Sequence, residues 1–513
     1  MSPLLAAAFA LFMYLVVRLL NITHPAASPL IYAKDRSSQF VQSVLDMCPI
    51  LHQPYQPPLL WGKSGHIQTI VYARMGRLNV QVPDGVRHSK IMPDGANLTF
   101  DLYEPFRPHP TGESHCIIFC PGIGNNSESP YIQSLVHHSQ QLGYIAVVLN
   151  HLGSLKKLPL TSPRLFTYGG TDELGAVRAE VERIHPGCRL ILVGCSMGAN
   201  IVLKYLGEDL AHQKGILAAI SVNQGYDVNK AVPILKSWRD LGRFYVYVMT
   251  ENQKQIIQAH QEQLLSPENK EKHGIDEQKI WKATSLDDLD EALSVRLFGY
   301  KNVEEYYREM SCCRHIPNIK IPLLILNAED DPVVPRELLV YPLEAAQTQP
   351  YTLFVLTKHG GHLGFYEKGL FRPSDHTWMD RLIMEYSDAI TSLHSAGKLP
   401  LPLKNLGISV SPDIKQSEMG IKEVADADIP DKPKVAVNNN IAHLEGDREL
   451  EMRAKKEEAQ AHHNNDILAG MGRNFTDQGA MTNGRGVLGG GDGLSSSHLV
   501  LEALKKSTNT AQL

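Results

Sequence analysis

A serine hydroxyl becomes a useful nucleophile only where a base takes its proton and nearby donors hold the negative charge that follows. Gly194-Cys195-Ser196-Met197-Gly198 has the spacing for that task. The apolar run Leu190-Ile191-Leu192-Val193 precedes it and Ala199-Asn200-Ile201-Val202-Leu203 follows, so G-x-S-x-G falls between a predicted strand and a predicted helix. A turn that tight needs small residues at both glycine positions. It thrusts Ser196 out at the sheet edge, at a helix N-terminus, where unpaired N–H groups and the helix dipole favour a developing negative charge.

The partners are expected downstream in the order Ser, acid, His. The run Pro322-Leu323-Leu324-Ile325-Leu326 leads into Asn327-Ala328-Glu329-Asp330-Asp331-Pro332-Val333-Val334. Three acids compete there. Asp331 is preferred over Asp330 and Glu329, because its Pro-Val-Val sequel opens the loop proper. The run Thr352-Leu353-Phe354-Val355-Leu356 leads into Lys358-His359-Gly360-Gly361-His362. Two glycines let that loop bend, so His362 rather than His359 should return over Ser196. Ser196 would attack a carbonyl carbon, His362 would shuttle the proton, and Asp331 would fix the imidazole tautomer. Two backbone N–H groups should hold the oxyanion. One is that of Met197; the other comes from Pro121-Gly122-Ile123-Gly124-Asn125-Asn126, with Ile123 first and Gly124 next. This chemistry calls for no cofactor. No C-x-x-C pair or His cluster has zinc-ligand spacing, so no metal is expected.

Such distant loops need a sheet to bring them together. Six short apolar runs recur: 116–120, 144–149, 190–193, 216–222, 322–326 and 352–356. Unbroken apolar runs suit strands buried on both faces. Helix-length segments such as 129–142 and 171–184 lie between them, which predicts an α/β fold, a mostly parallel sheet covered by helices. Residues 90–104 read as a hairpin turning near Asp94-Gly95. Residues 226–318 are polar, helical in pattern and too long for a loop; they are expected to form an inserted helical lid over the sheet's carboxyl edge. Residues 375–395 should close the domain as a helix.

Pro3 to Leu20 would rise about 27 Å as a helix, enough to cross a hydrocarbon layer. Met1-Ser2-Pro3 lacks the basic start of a cleaved signal, so residues 3–20 are expected to be a transmembrane anchor. A connector over 21–75, a catalytic domain over 76–397 and a mostly disordered tail over 398–513 complete the chain. Arg18 lies at the end of the anchor and Lys34 and Arg36 follow it, a bias that would keep the domain cytosolic. Four N-x-Ser/Thr sequons, at Asn21, Asn97, Asn125 and Asn474, matter only if it faces the lumen. Among 513 residues, 43% are hydrophobic, which excludes disorder of the whole chain. A net charge of -5 argues against nucleic acid as a partner, and the odd count of seven Cys against a disulfide framework.

With these residues the sequence resembles the α/β-hydrolase superfamily. It is most similar to the membrane-bound monoacylglycerol lipases with Gly62-Lys63-Ser64-Gly65-His66-Ile67-Gln68-Thr69, Leu149-Asn150-His151-Leu152-Gly153 and Gly360-Gly361-His362-Leu363-Gly364-Phe365. The resemblance covers roughly residues 1–395. It implies a triad of Ser196, Asp331 and His362, hydrolysis of acylglycerol esters drawn from membrane lipid, type II topology and, in such lipases, stimulation by a steroid effector. Two rival readings are an acyltransferase and a non-catalytic lipid or steroid receptor. The acyltransferase signature H-x-x-x-x-D is one residue short in His376-Thr377-Trp378-Met379-Asp380.

Overall fold

A computed structural model describes residues 2–20, 27–77, 81–237 and 241–400. All described residues belong to one compact unit, and the expected tail lies outside them except for residues 398–400.

The six apolar runs are strands of one nine-stranded sheet. In chain order its strands are β1 (Leu30–Tyr32), β2 (Val86–Ile91), β3 (Asn97–Tyr103), β4 (His115–Cys120), β5 (Ile145–Asn150), β6 (Arg189–Cys195), β7 (Ile216–Val222), β8 (Leu323–Ala328) and β9 (Thr352–Thr357). Their spatial order is β1-β9-β8-β7-β6-β4-β5-β3-β2. Strands β4 to β9 pair in parallel, whereas β3 joins β5, β2 joins β3 and β1 joins β9 antiparallel. The hairpin forms as β2 and β3, beginning a few residues earlier than its sequence signal.

Alternation along the strands explains why these runs contain no polar break. Ile117 and Phe119 of β4, Val148 of β5 and Ile191 and Val193 of β6 face one core, against the helices Pro130–Leu142 and Trp378–Ser395. Cys116, Ile118, Val147, Leu149, Leu190 and Leu192 face the other, against the helices Asp172–Ile184 and Met197–Glu208. The last helix of the domain ends at Ser395 as predicted but starts later than residue 375, at Trp378, behind a capping box in which Thr377 and Asp380 satisfy each other's backbone N–H groups.

Residues 21–75 are more than a connector. Within them β1 pairs with the edge strand β9, Gln39–Met47 packs on the first core, and Gly65–Met75 is a helix that reaches the catalytic loops. A three-residue strand and short polar helices carry too little periodicity to be read from sequence.

Among the described residues between β7 and β8 there are eight α-helices, from Val228–Leu235 to Val303–Met310. They bury clusters of their own, one around Ile256, Leu264, Ile280 and Leu289, another around Tyr306, Tyr307 and Met310. At the N-terminus, Pro3–Leu20 is helical as expected. Among the described residues, no helix is long and apolar enough to cross a membrane.

Candidate active site

The chain leaves β4 towards β5 on one side and β6 towards β7 on the other, so the loops at the carboxyl ends of β4 and β6 diverge and open a crevice. Ser196 sits there, between β6 and the helix Met197–Glu208, with φ 54° and ψ -121°. Its N–H donates to the Val222 carbonyl (2.8 Å), which locks the turn to β7. Both flanking glycines are required sterically. A Cβ on Gly194 would lie 2.4 Å from Ala199 Cα, and one on Gly198 would lie 1.9 Å from the Cys120 carbonyl oxygen. Burial pushes the neighbouring Cys195 thiol up to about 12, so it stays protonated and inert.

His362 Nε2 lies 2.9 Å from Ser196 Oγ, and His362 Nδ1 lies 2.9 Å from Asp331 Oδ2. A carboxylate only accepts, so Nδ1 carries the proton and Nε2 is left bare towards the hydroxyl. Asp331 is buried and accepts also from the Asn223 amide (2.5 Å) and from the backbone N–H groups of Val333 (2.8 Å) and Val334 (3.0 Å).

The rejected candidates have other partners. Asp330 accepts from the Gly361 N–H (2.9 Å) and from His359 Nδ1 (3.4 Å), so this pair shapes the histidine loop. Glu329 faces Arg336 at 4.0 Å. Asp380 is taken by Arg77 (3.2 Å) in an ion pair buried on both sides and by its own helix cap. The near-match beginning at His376 is therefore helix-terminal architecture.

Met197 is the first residue of its helix, where an N–H has no acceptor within the helix. The loop after β4 runs alongside: a Cβ on Gly122 would touch Ser196 Cβ at 3.4 Å, and Ile123 follows, half-buried. That loop is held from several sides. Tyr131 hydroxyl accepts from the Gly122 N–H (2.9 Å), Asn125 amide donates to the Ile123 carbonyl (3.0 Å), and Asn125 Oδ1 accepts from Ser129 (3.1 Å). The sequon asparagine Asn125 thus shapes this loop.

The alpha/beta hydrolase fold family matches residues 116–369. Monoacylglycerol lipase ABHD2 of Mus musculus is 43% identical over 387 residues, which cover 75% of this chain and 91% of that protein. Abhydrolase domain-containing protein 2 of Drosophila melanogaster is 37% identical over 400 residues, 78% of this chain and 100% of that one. Phospholipase ABHD3 of Mus musculus is 29% identical over 373 residues, covering 70% and 84%.

The chain belongs to the α/β-hydrolase family.

Three positioning residues of this α/β-hydrolase carried no chemical signal in the sequence. Thr69 accepts from the His362 N–H (2.8 Å) and donates to the Gly65 carbonyl (2.7 Å). Asn223, at φ 46°, bridges Asp331 and the Gly361 carbonyl (2.8 Å). His151 Nε2 lies 2.9 Å from the Pro121 carbonyl. Burial lowers its imidazole to about 4, so it is neutral and donates, pinning the root of the loop after β4. The run Gly62–Thr69 explains itself in the same way. A Cβ on Gly65 would lie 1.8 Å from the Asp330 carbonyl oxygen, and the Gln68 side-chain Oε1 accepts from the Tyr366 N–H (2.9 Å). This motif braces the acid and histidine loops.

One inserted helix, Gly242–Ala259, reaches both sides of the α/β-hydrolase crevice. Tyr245 hydroxyl pairs with His66 Nδ1 (2.9 Å) on the bracing helix, and Ile256 lies against Gly124, where a Cβ would approach to 3.2 Å. These residues are about 16 Å apart along the helix. Among the described residues, no group of three or more His, Cys, Asp or Glu side chains could hold a metal ion.

Proposed function

We propose that this chain is a membrane-anchored serine hydrolase that cleaves acylglycerol esters, with monoacylglycerol converted to fatty acid and glycerol. The observation that carries the reading is the hydrogen-bonded line from Ser196 through His362 to Asp331 at the switch point of the sheet. Relatives named monoacylglycerol lipase support the substrate class.

Ser196 Oγ attacks the ester carbonyl while His362 Nε2 takes its proton, and Asp331 stabilises the imidazolium. The Met197 and Ile123 N–H groups receive the oxyanion; losing one donor costs about 3–4 kcal/mol of transition-state stabilisation. The intermediate collapses as His362 hands the proton to the departing glycerol oxygen. Water then enters by the same route in reverse and frees the fatty acid.

The inserted helices act as a lid, supported by the two contacts of Gly242–Ala259 across the crevice. The apolar residues 3–20 serve as a single-pass anchor, with the basic residues Arg18, Lys34 and Arg36 holding the body on the cytosolic side, and the substrate partitions into the same bilayer. Steroid stimulation belongs to this reading through resemblance alone, and turnover with and without progesterone tests it.

The deciding experiment compares monoacylglycerol hydrolysis and fluorophosphonate labelling of the full chain with those of Ser196→Ala. Loss of both is expected. Equal hydrolysis by the two proteins would overturn the proposal.

A further inference from the structure

Two segments far apart in sequence are laced into one projection. The Leu59 N–H donates to the Gly369 carbonyl (3.0 Å), the Leu60 N–H to the Leu370 carbonyl (3.4 Å) and Trp61 Nε1 to the Phe371 carbonyl (2.8 Å). At its base, the Lys368 N–H donates to the Gln56 carbonyl (2.7 Å), and the Trp61 ring meets that of Tyr366 at 5.5 Å. The backbone is therefore fixed, and it holds large apolar side chains outward. Leu59 and Leu370 are each 50% exposed and Phe371 is 67% exposed. Lys368 and Arg372 flank them, both exposed. Isolated exposed apolar residues are ordinary; a braced cluster edged by cations and a tryptophan is not.

The surroundings say what covers it. The Tyr55 N–H donates to the Ala27 carbonyl (3.1 Å), only four residues before Leu59. The N-terminal helix ends at Leu20, and seven residues of chain span at most about 25 Å. With that helix in a bilayer, as proposed above, the projection is tethered close to the lipid surface. Its composition suits that surface. Apolar side chains enter the acyl boundary, the indole lies at headgroup level, and Lys368 meets lipid phosphate.

We propose that the Leu59–Trp61 and Lys368–Arg372 projection is a second membrane contact, docking on an anionic bilayer and setting the orientation of the body above it. The projection follows the His362 loop in sequence and precedes the helix carrying Thr69, so docking holds the lipid surface near the elements that brace the site. The enzymatic arm of the test rests on the lipase reading; the spectroscopic arm does not.

The full chain is reconstituted into vesicles of phosphatidylcholine and phosphatidylserine. The Phe371→Trp protein, measured against wild type, should gain an emission component that is blue-shifted and quenched by lipids with brominated acyl chains. Omitting phosphatidylserine should weaken that quenching. An added indole that emits as in water and escapes the brominated lipids overturns the proposal, as does a blue shift that follows protein concentration and crosslinked dimers instead of lipid. In the second arm, the double variant Leu370→Ser with Phe371→Ser should turn over vesicle-borne monoacylglycerol about tenfold more slowly. Its hydrolysis of a water-soluble short-chain ester and its fluorophosphonate labelling should stay at wild-type level. If the lipase reading fails, neither substrate is turned over while the quenching persists, and the docking surface stands.

Discussion

The carboxyl edge of the sheet and the inserted helices each hold a carboxylate wholly or partly out of water, and they treat it differently. At the edge, Asp331 accepts from one imidazole, one amide and two backbone N–H groups. In the insert, Asp290 is half-buried and accepts from two hydroxyls, Ser294 Oγ (2.7 Å) and Tyr307 Oη (2.8 Å). Burial pushes Asp290 up to about 6, with the nearby Asp287 charge adding to it. Backbone donors cannot turn away, whereas a hydroxyl rotates and can accept as readily as donate. The edge is committed to one arrangement of charge; the insert tolerates either protonation state. Packing repeats the contrast. The edge rests on two cores spanning the sheet, while the insert has small clusters of its own.

The hardest test of this contrast is at the edge. Asp331→Asn keeps the shape but presents an amide to the imidazole, and kcat for ester hydrolysis should fall about ten-thousandfold with little change in melting temperature. In the insert, Asp290→Asn should act on stability instead. For a carboxyl raised from 3.8 to about 6 on folding, the associated stability is fully present below the lower value and is lost as pH climbs through the upper one. Asp290→Asn should therefore melt higher than wild type at about pH 7.5 and show only about a third of that gain at about pH 4.5, the full effect being about 3 kcal/mol at the most. A wild-type gain at the higher pH would contradict the account of that site.

A smaller effect sharpens the division. Thr69→Val removes the acceptor for the His362 N–H, and kcat should drop tenfold to a hundredfold, about 1–3 kcal/mol. Thr69→Ser should restore most of it, which simple loss of packing would not allow. Smallest is Tyr245→Phe, which cuts the His66 link between insert and edge. It should change turnover of a soluble ester by a few-fold at most, about 1 kcal/mol. A larger change would mean the insert takes part in ordering the edge.

The strands were readable because burial on both sheet faces leaves unbroken apolar runs, as in Cys116–Cys120 and Leu190–Val193. Ser196, Asp331 and His362 were readable because each follows such a run and because their order is fixed by the fold. His151, Thr69 and Asn223 were not. Each acts through one or two hydrogen bonds to segments remote in sequence, and nothing in its neighbours' types announces that. The strand Leu30–Tyr32 escaped for a related reason. Three residues beside an existing edge need only pair, so no pattern has to be written into them.

The dihedral of Ser196 has one more implication. A non-glycine residue at φ 54° in so confined a turn carries a conformational penalty of about 1–3 kcal/mol. Ser196→Gly would relieve it, giving a protein without a nucleophile that withstands heat better than the working one. Breeding this fold for durability alone would thus tend to erase its chemistry, and any thermostable library drawn from it has to be screened for turnover at every round.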